Sequence, residues 1–425
     1  MKRIKQTLQH KVVHQFLTYG ILNSLGAVIP LLSIPIITRF FTPEEYGYMG
    51  LALAIVSLLS QVLQLGLTHL IAKEFHEHTV KGRAVSHGMM AGLMAGAGLF
   101  LFVAMLALKP ILPWTQNLET QHLSLMILSG TMLALWFIYT TVQQFHQKAF
   151  SVGLAGIIQN ALIYGAVLVM LYTYAAASWD IFLICQATVQ TTLTLFALFW
   201  LRKQGELTFV IHKAHIKARL KHALSFSLPM VPFMLGTTLM ITSDRILIEY
   251  FIGVKDVGFY TLAYQISSVL LLAGISLNHA WRPWCMKYLN EHKTKSYQKP
   301  LRLVFTMATL MCLAALGYGY AAPFIFAPWI PESYNVAFTL VPIMSISAAL
   351  YCTIHYISPF YLHLGQTRAI GKTIFFASLL NIILNIALIP KYGAWGAALS
   401  TFISTTISIA ALLIRLRHCP KPKTA

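Results

Sequence analysis

Apolar runs of about twenty residues recur twelve times along this chain of 425 residues, with short polar stretches between them. A helix rises about 1.5 Å per residue, so each run can cross a hydrocarbon layer about 30 Å thick. In lipid, backbone N–H and C=O groups must be satisfied within the chain, which makes helix the fold for runs of this length. The runs lie near 15–38, 46–70, 88–108, 122–142, 151–174 and 181–201, then near 224–249, 257–280, 301–322, 337–362, 370–389 and 395–414. Composition agrees, with 57% hydrophobic and 10% charged residues against about a quarter charged in soluble domains. The expected fold is an all-α polytopic membrane protein of twelve transmembrane helices. Pro30, Pro35, Pro229, Pro232, Pro342 and Pro359 fall inside runs and predict kinks or hinges, which neighbouring helices tolerate by re-satisfying the freed backbone groups.

The chain also repeats itself. A shift of 212 sets Ile4, Lys5, Leu8 and His10 on Ile216, Lys217, Leu220 and His222. A shift of 211 sets Phe40, Gly47, Leu51, Ala52, Ile55 and Ser57 on Phe251, Gly258, Leu262, Ala263, Ile266 and Ser268. Two similar halves follow, as from a duplicated unit. Six spans is an even number, so both halves enter and leave on the same side and their pseudo-two-fold axis runs along the membrane normal. The expected organisation is a six-helix lobe over 1–201, a basic amphipathic linker over 202–223, and a second six-helix lobe over 224–425 with a short tail. In the linker Ile216, Leu220 and Leu224 recur every four residues among Lys213, Lys217, Arg219 and Lys221. Ile4, Leu8, Val12 and Phe16 do the same at the N-terminus, so each half is expected to begin with a cation-rich helix in contact with membrane lipids.

A net charge of +19 raises the question of nucleic acid, and the placement of the cations answers it. Of the 31 Lys and Arg residues 26 fall on one side of the predicted spans, with 4 of the 12 acids. This bias follows the positive-inside rule and predicts both termini in the cytoplasm, with no nucleic-acid partner. The first run is too long for a signal peptide and lacks a clear small-residue cleavage site, so it reads as a retained span. No Asn-x-Ser/Thr sequon occurs, which favours a bacterial membrane. Five cysteines without metal-ligand spacing imply neither a disulfide framework nor a metal site.

Charges within spans cost at least about 2.5 to 3.5 kcal/mol each at the bilayer centre, and so mark function. The seventh run ends Thr242-Ser243-Asp244-Arg245-Ile246-Leu247-Ile248-Glu249. Arg245 there faces either a substrate path or a local ion pair with Glu249, four residues on. Asp244 is a candidate for ion coupling. Arg39 ends the first span, and Arg282 ends the eighth between Trp281 and Trp284, in keeping with interfacial snorkelling. His69 and His279 close the inner ends of the second and eighth spans, as anion or proton sites or as plain interfacial residues. Polar residues collect at Asn23, Gln61, Gln64, Gln159, Asn160, Thr237, Tyr264, Gln265, Asn381 and Asn385. They either glue helices together or line a polar path between the halves. There is no HExxH, GxSxG or Walker pattern, so an ATP-hydrolysing pump is excluded, and the short outer loops offer no evident active site for an enzyme.

Four stretches carry a resemblance: ITRFFTPEEYGYMGLALAI (37–55), SDRILIEYFIGVKDVGFYTLAYQI (243–266), PESYNVAF (331–338) and NIILNIALIPKYGAWGAALST (381–401). In order and spacing they resemble polysaccharide flippases of the Wzx type, in the multidrug, oligosaccharidyl-lipid and polysaccharide exporter superfamily. The resemblance implies a transporter, not an enzyme, in the bacterial inner membrane. Such a protein moves oligosaccharide repeat units linked to a polyprenyl diphosphate, such as undecaprenyl diphosphate, to the periplasmic leaflet by alternating access, for surface polysaccharides such as O-antigen. It implies a polysaccharide polymerase or chain-length regulator as partner, and no cofactor beyond a coupling ion, H+ or Na+. Arg245, Arg39 and Arg282 are the candidates for the diphosphate, because Arg pairs with phosphate oxygens bidentately; Asn23, Gln61, Gln64, Tyr264 and Gln265 are candidates for the sugar path. The chain lacks the two additional helices of peptidoglycan-precursor flippases, which argues against that substrate. A cation-coupled exporter of drugs or metabolites is the alternative, and it requires a titratable acid deep in a lobe, for which Asp244 and Asp180 are the nearest.

Overall fold

The computed structural model describes residues 22, 25–77, 79–109, 119–174, 178–209, 220, 221, 223, 225, 227, 231–291 and 297–418. Asn23, the N-terminal surface helix and most of the 202–223 linker lie outside them. In chain order the helices are α1 (Leu25–Phe40), α2 (Pro43–Gln64), α3 (Leu67–Glu77), α4 (Val80–Leu108), α5 (Thr120–Phe145), α6 (Ala149–Tyr174) and α7 (Trp179–Lys203). They continue with α8 (Val231–Phe251), α9 (Val254–Glu291), α10 (Gln298–Phe326), α11 (Asn335–His363), α12 (Thr367–Tyr392) and α13 (Ala394–His418). No strand occurs among the described residues. Ten of these helices are long and apolar enough to cross a bilayer. The described part of α1 is shorter, and α8 carries Asp244, Arg245 and Glu249; these two complete the twelve spans of an all-helical membrane fold.

Local chemistry explains the helix ends. Thr42 and Glu45 form a reciprocal capping box, the Thr42 N–H donating to Glu45 Oε2 at 2.9 Å and the Glu45 N–H to Thr42 Oγ1 at 3.3 Å, which starts α2 where the apolar run begins. Ser178 caps α7 by accepting from the Asp180 N–H. The second run does not continue unbroken to residue 70 as expected. Leu65 and Gly66 take φ values of 48° and 70°, a left-handed pair that ends the helix. Beyond the break, α3 buries Leu67, Leu70 and Ile71 and exposes His69. Prolines within α9, α10, α11 and α12 leave those helices continuous.

The described residues fall into two compact units, one drawn from Met1–Leu51 with Leu239–Ala425, the other from Ala52–Thr238. In the second unit α5 is central, packing on α3, α4, α6 and α7; in the first α11 is central, packing on α9, α10, α12 and α13. Spans four and ten thus play the same part in the two halves of the repeat. Burial echoes the repeat in detail. The buried share of the most apolar stretch is 17% in α4 and 17% in α10, 22% in α6 and 28% in α12, 44% in α7 and 39% in α13, and 56% in α5 and 61% in α11. Shares this low in the third, fifth, ninth and eleventh spans leave residues such as Phe100 and Phe324, 71% and 85% exposed, facing outward. A soluble surface would not carry such a belt, and a lipid-facing one requires it.

Candidate functional site

A buried polar cluster of the first unit forms around Asp244, on α8, which is 2% exposed. Its Oδ1 accepts from Asn385 Nδ2 at 2.6 Å. Its Oδ2 accepts from Thr401 Oγ1 at 3.0 Å and from the Tyr260 hydroxyl. Asn381 joins the cluster, accepting from Asn385 Nδ2 and donating to Thr401 Oγ1, both at 3.2 Å. Four helices, α8, α9, α12 and α13, therefore converge on one carboxylate. A bare buried charge costs several kcal/mol, and these donors are what holds it. Yet Asn385 Oδ1, beside the carboxylate, is buried without a hydrogen-bond partner. The two ends of an amide are nearly isosteric. Turned over, Asn385 would present its oxygen alongside those of Asp244, Asn381 and Thr401, an all-oxygen set suited to a hard cation.

A cavity of about 70 Å³ adjoins the cluster, lined by Asp244, Tyr260, Tyr264, Ser268, Tyr351 and Thr401 among others. One water needs about 10–15 Å³ on this measure. The space therefore suits a small ion with a few waters.

Arg245, 7% exposed, points to neither solvent nor Glu249. Its guanidinium stacks on the Tyr264 ring at 4.6 Å, donates to the Ile241 carbonyl at 2.9 Å and reaches Thr261 Oγ1 at 3.3 Å. Glu249 is exposed, and among the described residues no ion pair joins it to Arg245. Arg245, Asp244 and Tyr264 are thus brought together with Tyr260, while Gln265, one residue on, accepts from the Tyr46 hydroxyl. Arg39 is exposed at the end of α1. Arg282 is exposed on α9 within electrostatic reach of His279 and His355. Gln61 and Gln64 belong to the other unit, where Gln64 accepts from Thr68 at 3.2 Å and Gln61 Oε1 has no partner. Asp180 stands at the start of α7, paired with His122 at 2.6 Å and 41% exposed in its side chain.

Sequence reasoning did not find a second cluster, in the other unit. Glu206, just beyond α7 and 3% exposed, receives Arg83 at 2.8 Å and His146 at 2.9 Å on Oε1. Its backbone carbonyl lies 2.7 Å from His87 Nδ1. Arg83 also stacks on Phe75 at 4.4 Å, and the Thr208 N–H donates to the Ala84 carbonyl at 3.0 Å. The chain leaving α7 is thereby strapped to α4.

Residues 12–289, well over half of the chain, match the family described as polysaccharide biosynthesis protein. The chain belongs to that family. Among curated proteins it is similar to the succinoglycan biosynthesis transport protein ExoT of Rhizobium meliloti (strain 1021), 30% identical over 24% of this chain and 21% of the relative. It is also similar to the probable flippase AglR of Haloferax volcanii, 27% identical over 42% of this chain and 37% of the relative. These alignments span well under two thirds of either relative's length. The fold is that of the lipid II flippase MurJ in an inward closed conformation, with a TM-score of 0.78 at 16% identity over 95% of this chain and 88% of that one. An outward-facing multidrug resistance transporter of the MATE family shares it, with a TM-score of 0.66 at 13% identity over 97% of both chains. Family and fold together give a member of the polysaccharide biosynthesis protein family with the helical fold that the lipid II flippase and the multidrug transporter share.

Proposed function

We propose that the chain translocates a polyprenyl-diphosphate-linked oligosaccharide from the cytoplasmic to the outer leaflet of the bacterial inner membrane, by alternating access between two six-helix lobes, 1–201 and 224–425. The observation that carries this reading is the family match over residues 12–289. The charge bias of the loops supports cytoplasmic termini, and the 202–223 linker then ties the lobes on that side. A charged diphosphate cannot cross hydrocarbon unshielded, so a polar path open to one side at a time is the physical requirement. Arg39, exposed at the end of α1, and Arg282, exposed within α9, which runs on to Glu291 beyond the span end expected near residue 280, are assigned to meet the diphosphate at the mouths of that path. Arg245, Tyr264, Gln265, Asn23, Gln61 and Gln64 are assigned along it. A polysaccharide polymerase or chain-length regulator would receive the product.

Coupling is assigned to Asp244, and of the two candidate ions, H+ and Na+, the oxygens that Thr401, Asn381 and a turned-over Asn385 would offer beside the carboxylate fit Na+. A buried acid of this kind also serves a cation-coupled drug or metabolite exporter, and this is the second reading. Deletion of the gene separates the two. Lost surface polysaccharide with lipid-linked repeat units retained on the cytoplasmic leaflet supports the flippase; normal polysaccharide with altered dye or drug resistance supports the exporter.

A further inference from the structure

One contact joins the head of α2 to the head of α9, and it is made twice. Gly47 lies so close to the Val254 carbonyl that an added Cβ would collide with it, and Gly258 lies equally close to the Pro43 carbonyl. The shift of 211 that carries Gly47 onto Gly258 also carries Pro43 onto Val254. The same shift carries Gly50 onto Thr261, and those two residues face each other, with Thr261 Cβ 2.9 Å from where a Gly50 Cβ would stand. Residue i meets j and the equivalent of i meets the equivalent of j, the rule for a two-fold interface between identical subunits, realised here within one chain. Glycine on both sides is what allows backbones to approach so closely.

The seam has polar fasteners around it. The Tyr46 hydroxyl donates to Gln265, and the Tyr334 hydroxyl donates to the Phe41 carbonyl at 2.9 Å. The Tyr46 and Tyr334 rings meet edge to face at 5.7 Å. Thr261, at the centre of the seam, is also the residue that Arg245 reaches at 3.3 Å, one position from Asp244. Residues of α2 up to Leu51 pack with the C-terminal unit, whereas from Ala52 onward the helix belongs to the other unit.

We infer that this two-fold seam of Gly47, Gly50, Gly258 and Thr261 is the outer latch of the transport cycle. It is closed in this structure, parts whenever the path opens outward, and is tied to the Asp244 site through Arg245. The inference rests on the alternating-access reading above, and of its two tests the labelling one does not depend on the substrate. In a cysteine-free background, Gly50→Cys with Thr261→Cys starts from a Cβ separation of 2.9 Å, below the about 3.5–4.5 Å of a disulfide, so a relaxation of about 1 Å at the seam suffices for the bond. Oxidation is expected to cross-link the pair and stop transport, and reductant to restore it. Failure to cross-link, or undiminished transport by the cross-linked protein, overturns the latch.

A second readout uses Tyr46→Cys, a position 1% exposed in the closed seam, labelled with a membrane-impermeant maleimide added outside. Adding Gly258→Ala, whose methyl would press on the Pro43 carbonyl, is expected to speed labelling by about tenfold. An unchanged rate overturns the inference. A seam that opens in a protein that flips no lipid-linked sugar would instead refute the proposed substrate and leave the latch standing.

Discussion

Replacing Asp244 with Asn removes one charge and almost no volume, and so separates ion binding from packing. With Ala in its place, the Tyr260 hydroxyl, Asn385 Nδ2 and Thr401 Oγ1 all lose their acceptor. Asn385 keeps Asn381 as partner and Thr401 still accepts from it, so Tyr260 bears most of the loss. At about 1–3 kcal/mol for each buried unsatisfied group, Asp244→Ala should destabilise by about 2–4 kcal/mol. Asn retains an acceptor oxygen, and the hydroxyls of Tyr260 and Thr401 can turn to meet its amide; its cost should stay within about 1 kcal/mol. The assay is thermal unfolding in lipid nanodiscs, with sodium replaced by choline at constant ionic strength. A cation at 100 times its Kd stabilises the wild type by about 2.7 kcal/mol, and the Asn variant should show no such rise. Coupled transport by that variant should fall at least about tenfold, the equivalent of about 1.4 kcal/mol in cation affinity. The same sodium response in both proteins, or wild-type transport by the variant, refutes an ion site at Asp244.

Arg83→Ala leaves Glu206 buried without its closest cation and should cost about 3–5 kcal/mol of stability. The double change with Glu206→Gln should recover part of that loss in the same thermal assay, and strict additivity would deny the coupling. Arg245→Lys keeps a charge but loses the flat stack on Tyr264, a contact of about 2 kcal/mol when desolvated. Transport should fall in both Arg245→Lys and Arg245→Ala, further in Ala, and an equal mild loss in both would argue against recognition by the guanidinium. Leu99→Arg, on the outward face of α4 at a position 65% exposed, should reduce membrane insertion by about 2.5–3.5 kcal/mol when scored in an insertion assay. Leu99→Phe, which suits lipid equally well, should leave insertion unchanged.

Hydrophobicity made the spans legible, because lipid allows few alternatives to a helix of about twenty residues. The repeat was legible from Gly47 and Gly258, and the same pair turns out to make the reciprocal contact of α2 with α9. What escaped depends on distance along the chain. Asn385 pairs with Asp244 across 141 residues, and no local pattern announces it, although Asn381 and Asn385 at a spacing of four do share a helix face. The repeat gave no help there, since at a shift of 211 Ser33 stands for Asp244 and Met49 for Tyr260. Glu206 escaped because Arg83, His87 and His146 lie at helix ends, where charge is ordinary. Arg245 escaped differently: the four-residue spacing pointed to Glu249, but a buried guanidinium found Tyr264 on the neighbouring helix, and Glu249 stayed exposed at the end of α8.

The central claim is movement of a lipid-linked oligosaccharide between leaflets, and the most direct measurement is the leaflet position of that lipid when the chain is depleted. Cells lacking the protein should hold the polyprenyl-diphosphate-linked repeat unit on the cytoplasmic leaflet. There it should be inaccessible to an outside lectin or hydrolase in intact spheroplasts and accessible in inverted vesicles, and wild-type protein but not Asp244→Asn should restore outer exposure. Equal outer exposure with and without the protein would contradict the account.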